Sequence, residues 1–233
     1  MMNLIFGVIL TFSSISRADE LGCACKILKR PDINHKEETA RWMVHSLDWG
    51  VLSTISTRLG FNGANEVVQT NKPEQPVPFG NIYSFVDGTC DNSTGTPYIY
   101  GTYMGQSFAD TCASAAVSLT LSEAMTPACG GNDQDSCKIS NGGYGDPQNP
   151  VCARLVLSGI LQVVTDVTEL DFAKKSLFQR HSSMSDWPRD HSWNVGKIDI
   201  KDIWLIDYFG GASILDVEVY KAVQLVQPAI EDK

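Results

Sequence analysis

Between Pro73 and Cys137 the chain carries no lysine, arginine or histidine, while Glu74, Asp87, Asp91, Asp110, Glu123, Asp133 and Asp135 all fall inside that stretch. Over the whole sequence 18 basic residues face 27 acidic ones, a formal net charge of −9. An acidic chain without a basic patch does not bind phosphate backbones by default, and neither zinc-finger spacing nor a helix-turn-helix signal is present, so nucleic acid is excluded as a partner. There is no Gly-x-Ser-x-Gly elbow for a serine nucleophile. Gly142-Gly143-Tyr144-Gly145 lacks the glycine spacing and strand-to-helix context of a dinucleotide fingerprint and reads as a loop. No segment after the first twenty residues is apolar and long enough to cross a bilayer, which predicts no membrane insertion.

What is present begins with MMNLIFGVILTFSSISRADE. Its apolar stretch from Leu4 to Ile15 is too short to span a membrane and ends in small residues, with Ser16 and Ala18 at the positions of a cleavage site before Asp19. Residues 1–18 are therefore expected to be a secretory signal peptide, although the stretch before the apolar core offers no Lys or Arg. Cleavage removes one base, Arg17, and no acid, leaving the mature chain slightly more acidic. The remainder suits one domain with a full core. We divide it into a leader over 19–34, a domain over 35–225 and a tail over 226–233.

The seven cysteines all lie beyond that cleavage point, where disulfides are the default. An odd total leaves at least one thiol free or bridging to another molecule. The partners of Cys90, Cys112 and Cys129 are not fixed by sequence. Cys23 and Cys25 have no matching Cys/His set, so no metal site is predicted. Asn92-Ser93-Thr94 is an N-glycosylation acceptor in the turn-rich stretch DGTCDNSTGTP, and Asn92 is the expected glycan site.

Hydrophobic spacing predicts a helix over His35 to Leu47, with Ala40, Met43, Val44 and Leu47 on one face, then a strand from Gly50 to Arg58. The polar segment Gly60 to Pro78 reads as a long loop. Further strands are expected at Asn81 to Val86, Tyr98 to Tyr103, Ala115 to Ser122 and Cys152 to Val164, with a short helix around Gln106 to Ala113. A helix starting near Thr168 carries Leu170, Ala173, Leu177 and Phe178 on its apolar face, and Pro188 blocks its continuation. Val195 to Ile206 supplies the last strand. Successive strands joined by turns suggest an antiparallel barrel, which leaves no unpaired edge.

Four ordered blocks carry a family resemblance: ARWMVHSLDWGVLSTIST from Ala40 to Thr57, SLFQRH from Ser176 to His181, WPRDHSW from Trp187 to Trp193, and IWLIDYFGG from Ile203 to Gly211. These resemble the CREG family, the cellular repressors of adenovirus-oncoprotein-stimulated genes, over roughly residues 38 to 223. The family's proline after Arg-His is Ser182 here. The resemblance implies a mainly-β fold with flanking helices, the split β-barrel of the FMN-binding pyridoxamine-phosphate-oxidase type, and a homodimer. It also implies a secreted or endolysosomal glycoprotein without established catalysis, working through a cell-surface or lysosomal protein partner. Family members carry two cysteines around a shorter equivalent of the loop KISNGGYGDPQNPV, and Cys137 with Cys152, which bracket that loop, is the best disulfide pair. Closing it contributes about 3 kcal/mol by chain entropy.

Flavin is where enzyme and non-enzyme readings divide. A phosphate dianion binds best to Arg or Lys or to backbone amides at a helix start, and the base-free stretch includes the strands from which flavin-binding relatives recruit their phosphate ligands. Arg58, Arg154, Lys174 and Arg180 are the bases elsewhere that could reach a pocket. We expect no cofactor, with FMN as the alternative. His181, Trp187, His191 and Trp193 are the candidate functional turn, for a histidine there suits a general base or pH sensor. No paired carboxylate or nucleophile is placed beside them by sequence alone, and the tryptophans read first as core or interface residues. The alternatives carried forward are an FMN-dependent oxidoreductase and a small-ligand carrier.

Overall fold

The computed structural model describes residues 28–62, 66–70, 75–125, 137 and 146–225. The expected signal peptide over 1–18, most of the expected leader and the expected tail over 226–233 lie outside these residues. Among the described residues no helix is long and apolar enough to cross a membrane.

The chain opens with helix α1 (Lys36–Ser46), followed by strands β1 (Trp49–Phe61), β2 (Val67–Gln69), β3 (Pro76–Thr89) and β4 (Asn92–Gly101), helix α2 (Gln106–Thr111), and strands β5 (Ala116–Ser122) and β6 (Arg154–Val163). Helix α3 (Val167–Arg180), strands β7 (Asn194–Ile206) and β8 (Ser213–Leu215) and helix α4 (Val217–Ala222) complete it. Strands pair in the order β1-β3-β4-β7-β6-β5, and β5 returns to β1 through Val51–Thr120, Leu52–Leu119 and Ser53–Ser118, all antiparallel. Six strands thus close a barrel, while β2 pairs with β1 and β8 with β7 outside that circuit.

Alternation of side chains along these strands explains the core. Leu52, Phe85, Ile99, Leu119, Leu121, Leu155, Leu157, Ile203 and Leu205 point inward and are buried. Helix α1 joins them through Ala40, Trp42, Met43, Val44 and Leu47. From α2, Phe108 packs so closely on Gly101 that an added Cβ there would stand 2.1 Å from its ring. Only glycine fits beneath that side chain. A second cluster forms outside the barrel, where Ala173 and Leu177 of α3 cover Val86, Tyr98 and Val195 of β3, β4 and β7.

Three expectations need correction. The presumed loop from Gly60 to Pro78 includes strand: β1 runs on to Phe61, β2 pairs Phe61 with Val67 and Leu59 with Gln69, and β3 starts at Pro76. The hairpin carries little apolar signal because Val67 and Gln69 are exposed, and it is held by backbone pairing and by the Asn62 side chain, which donates to the Glu66 carboxylate and accepts from the Glu66 amide, both at 3.0 Å. Helix α3 is capped by Asp166, whose carboxylate accepts from the Glu169 amide at 2.8 Å, and Thr168 already lies in its first turn. A carboxylate three residues before the amide closes the cap more effectively there. The same helix ends at Arg180, well before Pro188, and a 3₁₀ turn over Ser182–Asp186 fills the interval. Strand β8 and helix α4 were not legible at all, each being too short for periodicity to register.

Candidate functional site

The turn after α3 brings three of its four singled-out residues together. Trp187 and Trp193 lie 4.8 Å apart by ring centroid, and Tyr100 of β4 stacks on Trp193 at 5.1 Å and Trp187 at 6.0 Å. His191 borders Trp193 at 5.8 Å, and Phe178 of α3 meets Tyr100 edge-on at 5.4 Å. The Trp193 indole N–H donates to the Pro188 carbonyl at 2.7 Å, and the Thr102 hydroxyl donates to the His191 carbonyl, so the turn is tied to itself and to the residue that follows β4. Ser192 adopts φ 50°, a left-handed conformation costing about 1 kcal/mol in a non-glycine residue. Centroid spacings this short leave no slot for a ligand between the rings. They satisfy one another, and Trp187 packs against the cluster under α3.

His181 belongs to a different contact. Its Nε2 donates to the Phe85 carbonyl at 3.1 Å, and burial pushes the imidazole below its ordinary value. His191 has only Asp190, 3.8 Å away and largely exposed, as an acidic neighbour. The candidate turn therefore presents no relay of nucleophile, base and orienting acid.

A buried polar network that sequence reasoning missed lies where α1, the β3–β4 hairpin and α4 converge. His45 Nδ1 meets Asp87 Oδ1 at 2.7 Å, and Asp87 Oδ2 accepts from the Ser93 hydroxyl and from the Gly95 amide at 3.1 Å. Arg41 donates to the Ser93 carbonyl and hydroxyl, both at 2.9 Å, and to the carbonyls of Tyr220 and Lys221 at 3.2 and 3.1 Å. Burial opposes the charge on Asp87, but hydrogen bonds from His45 and Ser93 with the Arg180 charge outweigh it and hold the carboxyl below its usual range. Because Ser93 donates to Asp87 rather than to His45, this is not a hydrolase triad. Gly95, at φ +74°, would put a Cβ 2.7 Å from Arg41 Nε, so glycine is required on both counts. A signal existed in the sequence: Arg41 and His45 are one turn apart on a helix whose apolar face already includes Ala40 and Val44.

The outward face of the barrel away from α3 is unlike a solvated sheet. Direct pairings make one cross-strand row of Ile82, Val51, Thr120, Val156, Trp204 and Ile214, running through β3, β1, β5, β6, β7 and β8 without a charge. Its two ends, Ile82 and Ile214, are 64% and 67% exposed. The neighbouring pairs Trp49–Ser84, Ser53–Gly80 and Ile55–Pro78 add none on β1 and β3, whereas Arg154 and Asp202 flank the row on β6 and β7. A one-sided antiparallel sheet ordinarily turns polar residues to water.

The bases proposed for an anion do not assemble on this face. Arg180 is buried, donating to the His45 carbonyl at 2.6 Å and lying 3.8 Å from Asp48. Lys174 stands on α3, Arg58 is exposed on β1 beside its register shift, and Arg154 sits at the edge of β6 opposite Ser122 and Ile206. A phosphate dianion needs converging donors, and these residues do not fit one. Among the described residues no group of His, Cys, Asp and Glu is arranged to hold a metal ion. Cys137 and Cys152 form a disulfide, Cys90 is also disulfide-bonded, and Cys112 keeps an exposed free thiol.

A six-stranded antiparallel closure with one flanking helix outside it and helices at its ends defines a split β-barrel. A solved heme binding protein from Mycobacterium smegmatis shares this fold at a TM-score of 0.55 with 14% identity, over 84% of this chain and 62% of that one. The present chain thus spans under two thirds of that structure. The family model described as CREG, beta-barrel, matches residues 31–222, and the chain belongs to that family. Protein CREG1 of Gallus gallus is 37% identical over 209 residues, 87% of this chain and 96% of that protein. Protein CREG1 of Homo sapiens is 34% identical over 197 residues, covering 84% and 78%.

Proposed function

We propose that this CREG-family protein is a secreted or endolysosomal glycoprotein that acts by surface recognition as a homodimer, and that it does not catalyse a flavin reaction. The observation that carries the reading is the charge-free row from Ile82 to Ile214. An uncharged, mostly apolar stripe across six strands suits burial against another protein surface, while the absence of converging bases argues against a flavin phosphate. A second copy of the chain is the first partner to occupy it, because a two-fold axis sets a self-complementary patch against itself. The dimer would then present its remaining surface to a cell-surface or lysosomal protein, in the growth, differentiation or lysosomal roles the family resemblance implies. Asn92, exposed at the start of β4, is the proposed glycan site.

A second reading has one observation in its favour. The likeness to a heme binding protein supports a carrier of a planar ring ligand on the same fold, and an FMN-dependent oxidoreductase is the catalytic version of that reading.

Replacing Ile82 with Asp puts a charge at an exposed position, so the fold should survive while association fails. Sedimentation velocity on wild type and I82D reads the result. A wild-type dimer that becomes monomeric in the variant supports the recognition face, and a wild-type monomer contradicts it.

A further inference from the structure

Arg154 and Asp202 flank the row from Ile82 to Ile214 on opposite sides, and among the described residues neither side chain has a partner. Arg154 stands on β6 opposite Ile206, one step from the row, and its Nε is buried without a hydrogen bond. Asp202 stands on β7 opposite Ser158, one step from the row on the other side, and is exposed. Both lie on the outward face, because Leu155, Leu157, Ile203 and Leu205, which alternate with them, are buried in the core. Strands lie about 4.8 Å apart and advance about 3.4 Å per residue, which separates the two by roughly 5 Å across the sheet and 14 Å along it. A guanidinium cannot close that gap to a carboxylate within one chain.

On the reading that this face is buried in a homodimer, we infer that the two charges are matched between copies. Arg154 of each copy pairs with Asp202 of the partner subunit, so one pair forms on either side of the two-fold axis. An axis lying along the row sets the row against itself and exchanges its two flanks. An axis that bisects Arg154 and Asp202 runs about 20° off the row and crosses the strands of the two copies at about 40°, near the angle at which twisted sheets pack face to face. An axis parallel to the strands would lay each flank on its own copy and bury both charges unpaired, which is strongly unfavourable.

The shapes of the flanks agree with the exchange. The Arg154 flank carries Trp49 and Ile206 beside Ser84 and Ser122, whereas the Asp202 flank is the continuous small-residue line Gly80, Ser53, Ser118 and Ser158. Laying the first on the second sets bulk over space and brings the Arg154 guanidinium down beside Ser158, next to the carboxylate.

The test is sedimentation velocity over a concentration series on Arg154→Asp, Asp202→Arg and their equimolar mixture. Each variant alone sets like charges together and should self-associate at least about tenfold more weakly than wild type. Mixing R154D with D202R restores both opposite-sign pairs, so the mixture should dimerise within about threefold of wild type. Variants that associate like wild type, or a mixture no tighter than its components, overturn the pairing. Should R154D fail to fold, D202R and D202N decide at the exposed position: association weaker in D202R than in D202N, and in both weaker than wild type, supports the pairing, and any other order overturns it. A wild-type dimer broken by I82D but indifferent to these reversals removes only the pairing and keeps the recognition face, whereas a wild-type monomer removes both.

Discussion

The Tyr220 hydroxyl donates to the Gly95 carbonyl at 2.7 Å, joining α4 to the start of β4 across 125 residues of sequence. Both the ring and the oxygen are buried, and burial drives the phenol far above its ordinary value, so it remains a donor at every physiological pH. The Arg41 guanidinium lies 5.4 Å from the same ring and also holds the Tyr220 carbonyl. One residue near the end of the described chain thus closes the network begun on the first helix.

Tyr220→Phe keeps the ring and deletes the donor, leaving the Gly95 carbonyl unpaired. A buried acceptor stripped of its partner costs about 1–2 kcal/mol. Urea unfolding should show the midpoint lowered with an unchanged slope, which marks a loss of stability rather than a changed unfolded state.

The burial of His181 gives a pH prediction. Burial lowers its folded-state value below the unfolded one, so its contribution is fully present above the unfolded value and is lost as pH falls through the folded value. His181→Gln can retain a donor toward Phe85 without titrating. The variant should lose less stability than wild type between pH 7.5 and 5.0, as read by thermal unfolding at the two values.

Asn92 and Thr94 separate the glycan from the fold. Asn92 is exposed, whereas the Thr94 hydroxyl donates to the Asp87 carbonyl at 2.6 Å. In a eukaryotic host, N92Q should abolish the mass shift on glycosidase treatment with little change in the deglycosylated protein's stability. T94A should abolish the shift and also destabilise by about 1 kcal/mol. Equal stability of the two deglycosylated variants would show that the hydroxyl contributes nothing structural.

Much of the barrel could be read from the sequence because its inner faces alternate. Leu52 between Val51 and Ser53, and Leu119 between Ser118 and Thr120, announce strands with one buried side, and Ala40, Met43, Val44 and Leu47 mark α1 at once. The hairpin of β1 with β2 could not be read in the same way, since Val67 and Gln69 bury little and leave no pattern. The polar network was hidden for another reason. Arg41 and His45 look like the wet side of an amphipathic helix until Asp87, Ser93 and Tyr220 are brought to them from positions 42 to 179 residues away. The candidate turn stands out in sequence as a cluster of rare residues, and in the fold its rings close on Tyr100 and on each other while His181 faces Phe85 instead. The outward apolar row was not visible either, for it exists only once register sets Val51 between Ile82 and Thr120.

The most direct test of a recognition protein on a flavin-type fold is titration of the purified mature protein with FMN, followed by flavin fluorescence and visible absorption. The face that carries Ile82, Val51 and Trp204 has Arg154 at its β6 edge but no second base of the proposed set converging with it, so the account predicts no saturable quenching and no flavin spectrum in the isolated protein. Stoichiometric quenching would contradict it and make the oxidoreductase reading the primary one.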